Sequence, residues 1–123
     1  MTRTISREQL QAEIAILKPA PVLIEALPEK YFLDGHLPGA LHLPHDQVRR
    51  LALRLLPDKG AAIVAYCASK TCQNSHIAAE TLRAMGYTSV RVYAEGKQDW
   101  IEAGLPIEKG PGVHHAARPG LLA

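Results

Sequence analysis

Two cysteines, Cys67 and Cys72, stand in one short stretch of the chain and are its only thiols. An apolar run at 62–66 ends at Cys67, small or polar residues follow, and a pattern of helical spacing begins near Asn74. This order predicts a buried strand that delivers a thiol to a loop, with a helix N-terminus behind the loop. Such a setting is expected to lower the pKa of the thiol and to stabilise anions beside it. We therefore interpret Cys67 as a nucleophile.

The composition of the chain excludes several classes of partner for this thiol. The chain has 123 residues, of which 47% are hydrophobic and 21% charged, as in a single globular domain. The formal net charge is only +2 and there is no basic run, so we expect no nucleic-acid partner. No segment approaches the roughly 20 apolar residues that span a bilayer, and residues 1–6 lack the apolar core of a signal peptide. We expect a soluble cytoplasmic protein without a membrane partner.

Hydrophobic periodicity places the thiol in an alternating series of helices and strands. Helices are predicted at 6–17, 45–56, 74–85 and 97–103, with a single turn at 28–32, and strands at 22–24, 41–43, 62–66 and 90–93. Short connections between such elements favour an α/β fold with a mainly parallel sheet. The helix at 74–85 is expected to bury Ile77, Ala78, Leu82 and Met85, and residues 109–123 are predicted to be a tail outside the domain at 1–108.

Three blocks of residues between about Ser6 and Glu108 carry a family resemblance. They are Val22–Glu25 with Asp34-Gly35-His36-Leu37-Pro38-Gly39-Ala40, then Tyr66-Cys67 with Gly86-Tyr87 beyond the helix, and finally 90–96 with Trp100 and Gly104-Leu105-Pro106. In this order and at this spacing the blocks resemble the rhodanese-like (sulfurtransferase) domain.

The resemblance implies a parallel five-stranded sheet flanked by helices, with Cys67 as the catalytic residue. It implies that Cys67 takes a sulfane sulfur from a small anionic donor such as thiosulfate, and that the persulfide passes to a thiol, to cyanide or to a protein acceptor. The substrate-binding cradle would consist of the backbone amides of Ala68, Ser69, Lys70, Thr71, Cys72 and Gln73. No metal or other cofactor is expected, and no Cys/His spacing in the chain matches a zinc site.

The loop departs from the family pattern at one position that matters for the donor. The family often carries an arginine five residues after the cysteine, and Cys72 stands there in this chain. Loss of that guanidinium removes a group that could hold an oxyanion, which counts against thiosulfate as the preferred donor. Lys70 could supply a point charge instead, or it could be solvated surface. Cys72 could resolve a persulfide or a sulfenic acid into a disulfide, or it could simply fill the loop.

Other functions remain as alternatives. One is a catalytically silent module that binds or regulates a partner, and another is a thiol-redox protein that uses both cysteines. A cysteine phosphatase needs an arginine six residues after its nucleophile, where this chain has Gln73, so that reading largely fails. Glu25 is expected to form a salt bridge or to cap a loop at the carboxyl end of its strand, and Trp100 is expected in the core.

Overall fold

Five parallel strands form the centre of the computed structural model, which describes residues 3–111. In chain order they are β1 (Arg3–Thr4), β2 (Val22–Glu25), β3 (Leu41–His42), β4 (Ile63–Tyr66) and β5 (Val90–Tyr93). Their order across the sheet is β1-β5-β4-β2-β3, so β4 is the central strand. The predicted α/β fold is confirmed. Sequence periodicity did not predict β1, because two polar residues at the edge of a sheet show no alternation of apolar and polar side chains.

Five helices cover the two faces of this sheet. They are α1 (Arg7–Ile16), α2 (Glu29–Asp34), α3 (Val48–Leu55), α4 (Asn74–Ala84) and α5 (Gly96–Glu102). Alternate residues of β4 point to opposite faces: Ile63 and Ala65 pack with α3 and α4, whereas Val64 and Tyr66 pack with α1, α2 and α5. The strand is therefore buried on both sides, as its unbroken apolar run indicated.

Two details of the predicted helices were wrong. The third helix begins at Val48, because the residues at 45–46 form a turn before it. In α4, Ile77 is 46% exposed, and the face that packs on the sheet consists of Ser75, Ala78, Ala79 and Leu82. Small side chains on this face let α4 lie close to β4 and β5, and Ile77 lies beside that contact rather than in it.

The register of the sheet brings functional groups to one edge. Glu25 pairs with Tyr66, and Tyr66 pairs with Tyr93, at the carboxyl ends of three neighbouring strands. Cys67 follows Tyr66 directly, so the thiol and the Glu25 carboxylate lie at the same end of the sheet.

Glu25 is fully buried and belongs to a network of polar groups. Its carboxylate accepts hydrogen bonds from the Tyr66 hydroxyl at 2.8 Å and from the Lys97 ammonium at 3.0 and 3.1 Å. The same ammonium donates to the carbonyl oxygens of Tyr31, at 3.0 Å, and Gly35, at 2.6 Å. The predicted salt-bridging role of Glu25 is thus confirmed, and its partner Lys97 ties α5 to β2 and to the middle and the C-terminal end of α2.

The chain beyond α5 remains attached to the domain as far as it is described. His36 and Glu108 exchange backbone hydrogen bonds of 2.8 and 2.9 Å, and the amide of Gly110 donates to the Leu33 carbonyl at 2.9 Å. Most of the tail predicted at 109–123 lies outside the described residues.

The buried ion pair between Glu25 and Lys97 predicts that Lys97→Met lowers the stability of the domain by an amount that depends on pH. Burial raises the pKa of Glu25, against the opposing effects of Lys97 and Tyr66. A raised folded-state pKa favours folding at low pH, and this contribution is lost as the pH rises through that pKa. Without Lys97 the pKa of Glu25 rises further, so we expect a small loss of stability at about pH 4 and a loss of about 3 kcal/mol at about pH 8.

Urea unfolding of both proteins at several pH values measures this difference. Gln98→Met is the matched control, because Gln98 is exposed on the same helix and its side chain donates a hydrogen bond to the exposed Glu102 side chain. A loss in Lys97→Met that does not change with pH would show that the charge of Glu25 is not its cause.

Candidate active site

Cys67 lies at the carboxyl end of the central strand with only 1% of its surface exposed. Its sulfur lies 3.4 Å from the carbonyl oxygen of Cys72 and 3.3 Å from the hydroxyl oxygen of Ser75. Either oxygen can accept the single thiol proton. The thiol is therefore enclosed between the loop that follows it and the first turn of α4.

The loop from Ala68 to Gln73 folds back over the thiol in a short turn. The amide of Cys72 donates to the Ser69 carbonyl at 3.0 Å, and the hydroxyls of Ser69 and Thr71 lie 3.1 Å apart. Gln73 then leads into α4, which begins at Asn74 as predicted. In this turn the carbonyl of Cys72, and not its amide, faces the sulfur.

Burial governs the acidity of the Cys67 thiol. Removal from water raises its pKa, and so does the contact with the Cys72 side chain. The hydroxyl and the amide of Ser75 act in the opposite direction, because both can donate a hydrogen bond to a thiolate. The balance leaves the pKa above the ordinary value for cysteine, so the predicted lowering was wrong.

The residues predicted for the cradle differ in how far they are exposed to solvent. Ala68, Lys70, Thr71 and Gln73 are exposed, whereas Ser69 and Cys72 are partly exposed. Lys70 and Ser69 line an open cavity of about 220 Å³ together with Glu95, Gln98, Asp99 and Glu102. The surroundings of Lys70 are thus mostly acidic side chains.

The start of α5 supports the loop from the other side. The amides of Lys97 and Gln98 donate to the carbonyls of Cys67 and Ala68, both at 2.8 Å. Gly96 makes this approach possible, because a Cβ atom there would lie 2.7 Å from the Cys67 carbonyl oxygen and 2.9 Å from the Ser69 nitrogen. The loop and α5 are therefore in direct backbone contact.

Sequence reasoning gave no role to Ser75, Gly96 or Lys97. A serine in the first turn of the helix behind a candidate nucleophile was a usable signal for Ser75. Gly96 and Lys97 lie about 30 residues from Cys67 in the chain, and nothing in the local sequence indicates their contact with its carbonyl.

Residues 3–111 contain no group of three or more histidine, cysteine or acidic side chains arranged to hold a metal ion. None of the helices in this range is long and apolar enough to cross a membrane.

Comparison with known proteins gives a consistent family and fold. The model of the rhodanese-like domain matches residues 6–103. A structure described as rhodanese with anions from E. coli is 30% identical, has a TM-score of 0.62, and covers 74% of this chain and 100% of its own. A human single-domain sulfurtransferase superposes with a TM-score of 0.71 at 23% identity, covering 83% of this chain and 97% of its own.

A curated relative has a different description. The HTH-type transcriptional regulator Rv0324 of Mycobacterium tuberculosis is 31% identical over 93 residues, which are 76% of this chain. The chain spans 40% of the length of that regulator.

Because Gly96 lies so close to the Cys67 loop, we predict that Gly96→Ala strongly destabilises the domain. Gly96 has a φ of +75°, so alanine would be strained there and its Cβ would also displace the Cys67 loop. Gly104 is the matched control, because its φ is +78° and nothing lies within 4 Å of the added Cβ. In urea unfolding we expect Gly96→Ala to lose about 2 kcal/mol more than Gly104→Ala. Equal losses would mean that the loop yields to the new methyl group without penalty.

The raised pKa of Cys67 predicts a steep pH dependence of its reactivity. The thiolate is the reactive form, so below the pKa the rate follows its fraction and rises about tenfold per pH unit. We expect the alkylation of Cys67 by iodoacetamide, measured in a Cys72→Ser background, to rise in this way from about pH 6 to about pH 8. Ser75→Ala removes a group that lowers the pKa and should slow alkylation throughout this range. A rate that is already constant near pH 7 would contradict the raised pKa.

Proposed function

The chain belongs to the rhodanese-like family, and we propose that it is a sulfurtransferase that carries sulfane sulfur as a persulfide on Cys67. The observation that supports this proposal best is the placement of Cys67. It is a free thiol at the carboxyl end of the central parallel strand, enclosed by a tight loop and by the N-terminal turn of α4. Ligand sites of open α/β sheets lie at this end of the strands.

Loading begins with attack of the Cys67 thiolate on the outer sulfur of a donor such as thiosulfate. A bond forms between the two sulfurs, the bond from the outer sulfur to the sulfonate sulfur breaks, and its electron pair leaves with sulfite. Atoms and charge balance without an oxidant, because the transferred sulfur is already at the oxidation level of a persulfide.

Ser75 is the residue that supports the anionic forms of this cycle. Its hydroxyl lies 3.3 Å from the sulfur and can turn to donate to a thiolate, and its amide acts in the same sense. The loop residues are mostly exposed, and the N-terminus of α4 adds positive potential beside them at the mouth of the site. Residues Ala68–Gln73 are proposed to bind the donor in this way.

Transfer completes the cycle. A thiol, cyanide or a protein thiol attacks the outer sulfur of the persulfide, and the Cys67 thiolate leaves with the electron pair. Because Cys67 is buried, the acceptor must meet the persulfide at the loop, beside the exposed side chains of Lys70 and Thr71.

A regulatory module is the second candidate function. It is favoured by one observation, the likeness of this chain to part of a protein described as a transcriptional regulator. In that role the domain would bind a sulfur species or a partner protein without turnover.

Intact mass spectrometry with donors tests the sulfurtransferase proposal. Incubation with thiosulfate, polysulfide or 3-mercaptopyruvate should add one sulfur atom, about 32 Da, to Cys72→Ser and nothing to Cys67→Ser. With cyanide as acceptor, wild type should form thiocyanate, and Cys67→Ser should lose at least about a hundredfold in rate.

The control in these assays is Arg54→Gln, which alters an exposed side chain near the C-terminus of α3 and leaves both thiols and their loop in place. Absence of the adduct with every donor would overturn the proposal. Formation of an adduct without thiocyanate production would instead favour the regulatory candidate.

A further inference from the structure

We propose that Cys72 is a resolving thiol, which attacks the persulfide on Cys67, releases hydrosulfide and closes a Cys67–Cys72 disulfide. The inference rests on the proposed function, since it needs a loaded Cys67. It gives a role to the residue that stands in place of the family's loop arginine.

The geometry of the loop supports this role. The Cys67 sulfur lies 3.4 Å from the carbonyl oxygen of Cys72. The Cα atom of Cys72 is two bonds from that oxygen and therefore lies within about 6 Å of the sulfur. Both cysteines are free thiols, and the Cys72 side chain interacts with the Cys67 thiol strongly enough to raise its pKa.

The loop between the two thiols can accommodate a bridge. The residues between them belong to neither a helix nor a strand, and the turn hydrogen bond from Cys72 to Ser69 already folds the chain back. Ala68, Lys70 and Thr71 are exposed, so a small rearrangement of this segment does not disturb the core. A disulfide needs Cα atoms about 4.4–6.8 Å apart, which a loop of this length can provide.

The step balances without a further oxidant. The Cys72 sulfur bonds to the inner sulfur, which is Sγ of Cys67, and the bond between the inner and outer sulfurs breaks. The outer sulfur leaves as hydrosulfide with the bonding electron pair and takes up the proton of the Cys72 thiol. The two cysteines are oxidised to a disulfide, and the sulfane sulfur is reduced to sulfide.

Attack on the inner sulfur is favoured by the leaving group. Attack on the outer sulfur would expel the Cys67 thiolate, whose pKa is raised by burial. Attack on the inner sulfur expels hydrosulfide, the anion of a stronger acid, and thiols of lower pKa leave faster. In addition, the Cys72 carbonyl lies against Sγ of Cys67 itself, which becomes the inner sulfur.

The consequence is a carrier with a limited persulfide lifetime. When an acceptor is present, it can take the outer sulfur before Cys72 reacts. Without one, the domain converts the sulfane sulfur to sulfide and stops as a disulfide, until a dithiol reductant restores both thiols.

Mass spectrometry and sulfide quantification without acceptor test this role. Proteins are incubated with thiosulfate or 3-mercaptopyruvate, whichever loads Cys72→Ser. Wild type should lose two hydrogens, about 2 Da, and release about one equivalent of sulfide. Cys72→Ser should keep the adduct of about 32 Da and release at least about tenfold less sulfide.

The position of the second thiol is tested by the double variant Cys72→Ser/Ala84→Cys. Ala84 is exposed at the far end of α4, so this variant keeps two cysteines but holds them apart. It should behave like Cys72→Ser. A wild-type adduct that lasts as long as that of Cys72→Ser overturns the resolving role, whichever cysteine carries the sulfur. Failure of every donor to load Cys72→Ser overturns the proposed function itself.

Discussion

Lys97 joins the loop after Cys67 to the buried charge of the domain, through its backbone amide on one side and its ammonium on the other. Its amide donates to the carbonyl of Cys67, while its ammonium neutralises the fully buried Glu25. A carboxylate without this partner would be costly to bury, since its attraction to a cation offsets much of the desolvation penalty. Lys97 thus compensates the charge of Glu25 at the end of β2 and also binds the backbone at the end of β4.

Burial raises the pKa of both Glu25 and Cys67 at this edge of the sheet, but the partners of the two groups differ. Glu25 has an ammonium within 3.0 Å and the Tyr66 hydroxyl within 2.8 Å, so its charge is compensated by fixed partners. Cys67 has a carbonyl oxygen and one serine instead, and that carbonyl favours the protonated thiol. The Cys67 thiol therefore stays largely protonated near neutral pH until a proton acceptor removes its proton.

The sequence was sufficient for the parts of the structure that depend on local patterns. The unbroken apolar run of β4 and the helical spacing after Asn74 placed Cys67 between a central strand and a helix, as the structure confirms. The direction of the pKa shift of this thiol could not be predicted in this way, because it depends first on how deeply the fold buries Cys67 and then on how the loop places Cys72 against it. The contact of Gly96 with the loop was equally hidden, since it joins segments that are distant in the chain.

Replacement of the loop arginine by Cys72 changes more than the affinity for an oxyanion. An arginine at this position would hold the donor by charge and leave the persulfide to react with external acceptors alone. In the proposed cycle, a thiol at this position would not hold the donor but would compete for the inner sulfur, and the raised pKa of Cys67 would direct that competition toward hydrosulfide release. The burial that would slow the loading of Cys67 is therefore also what would make its persulfide resolvable from within the loop.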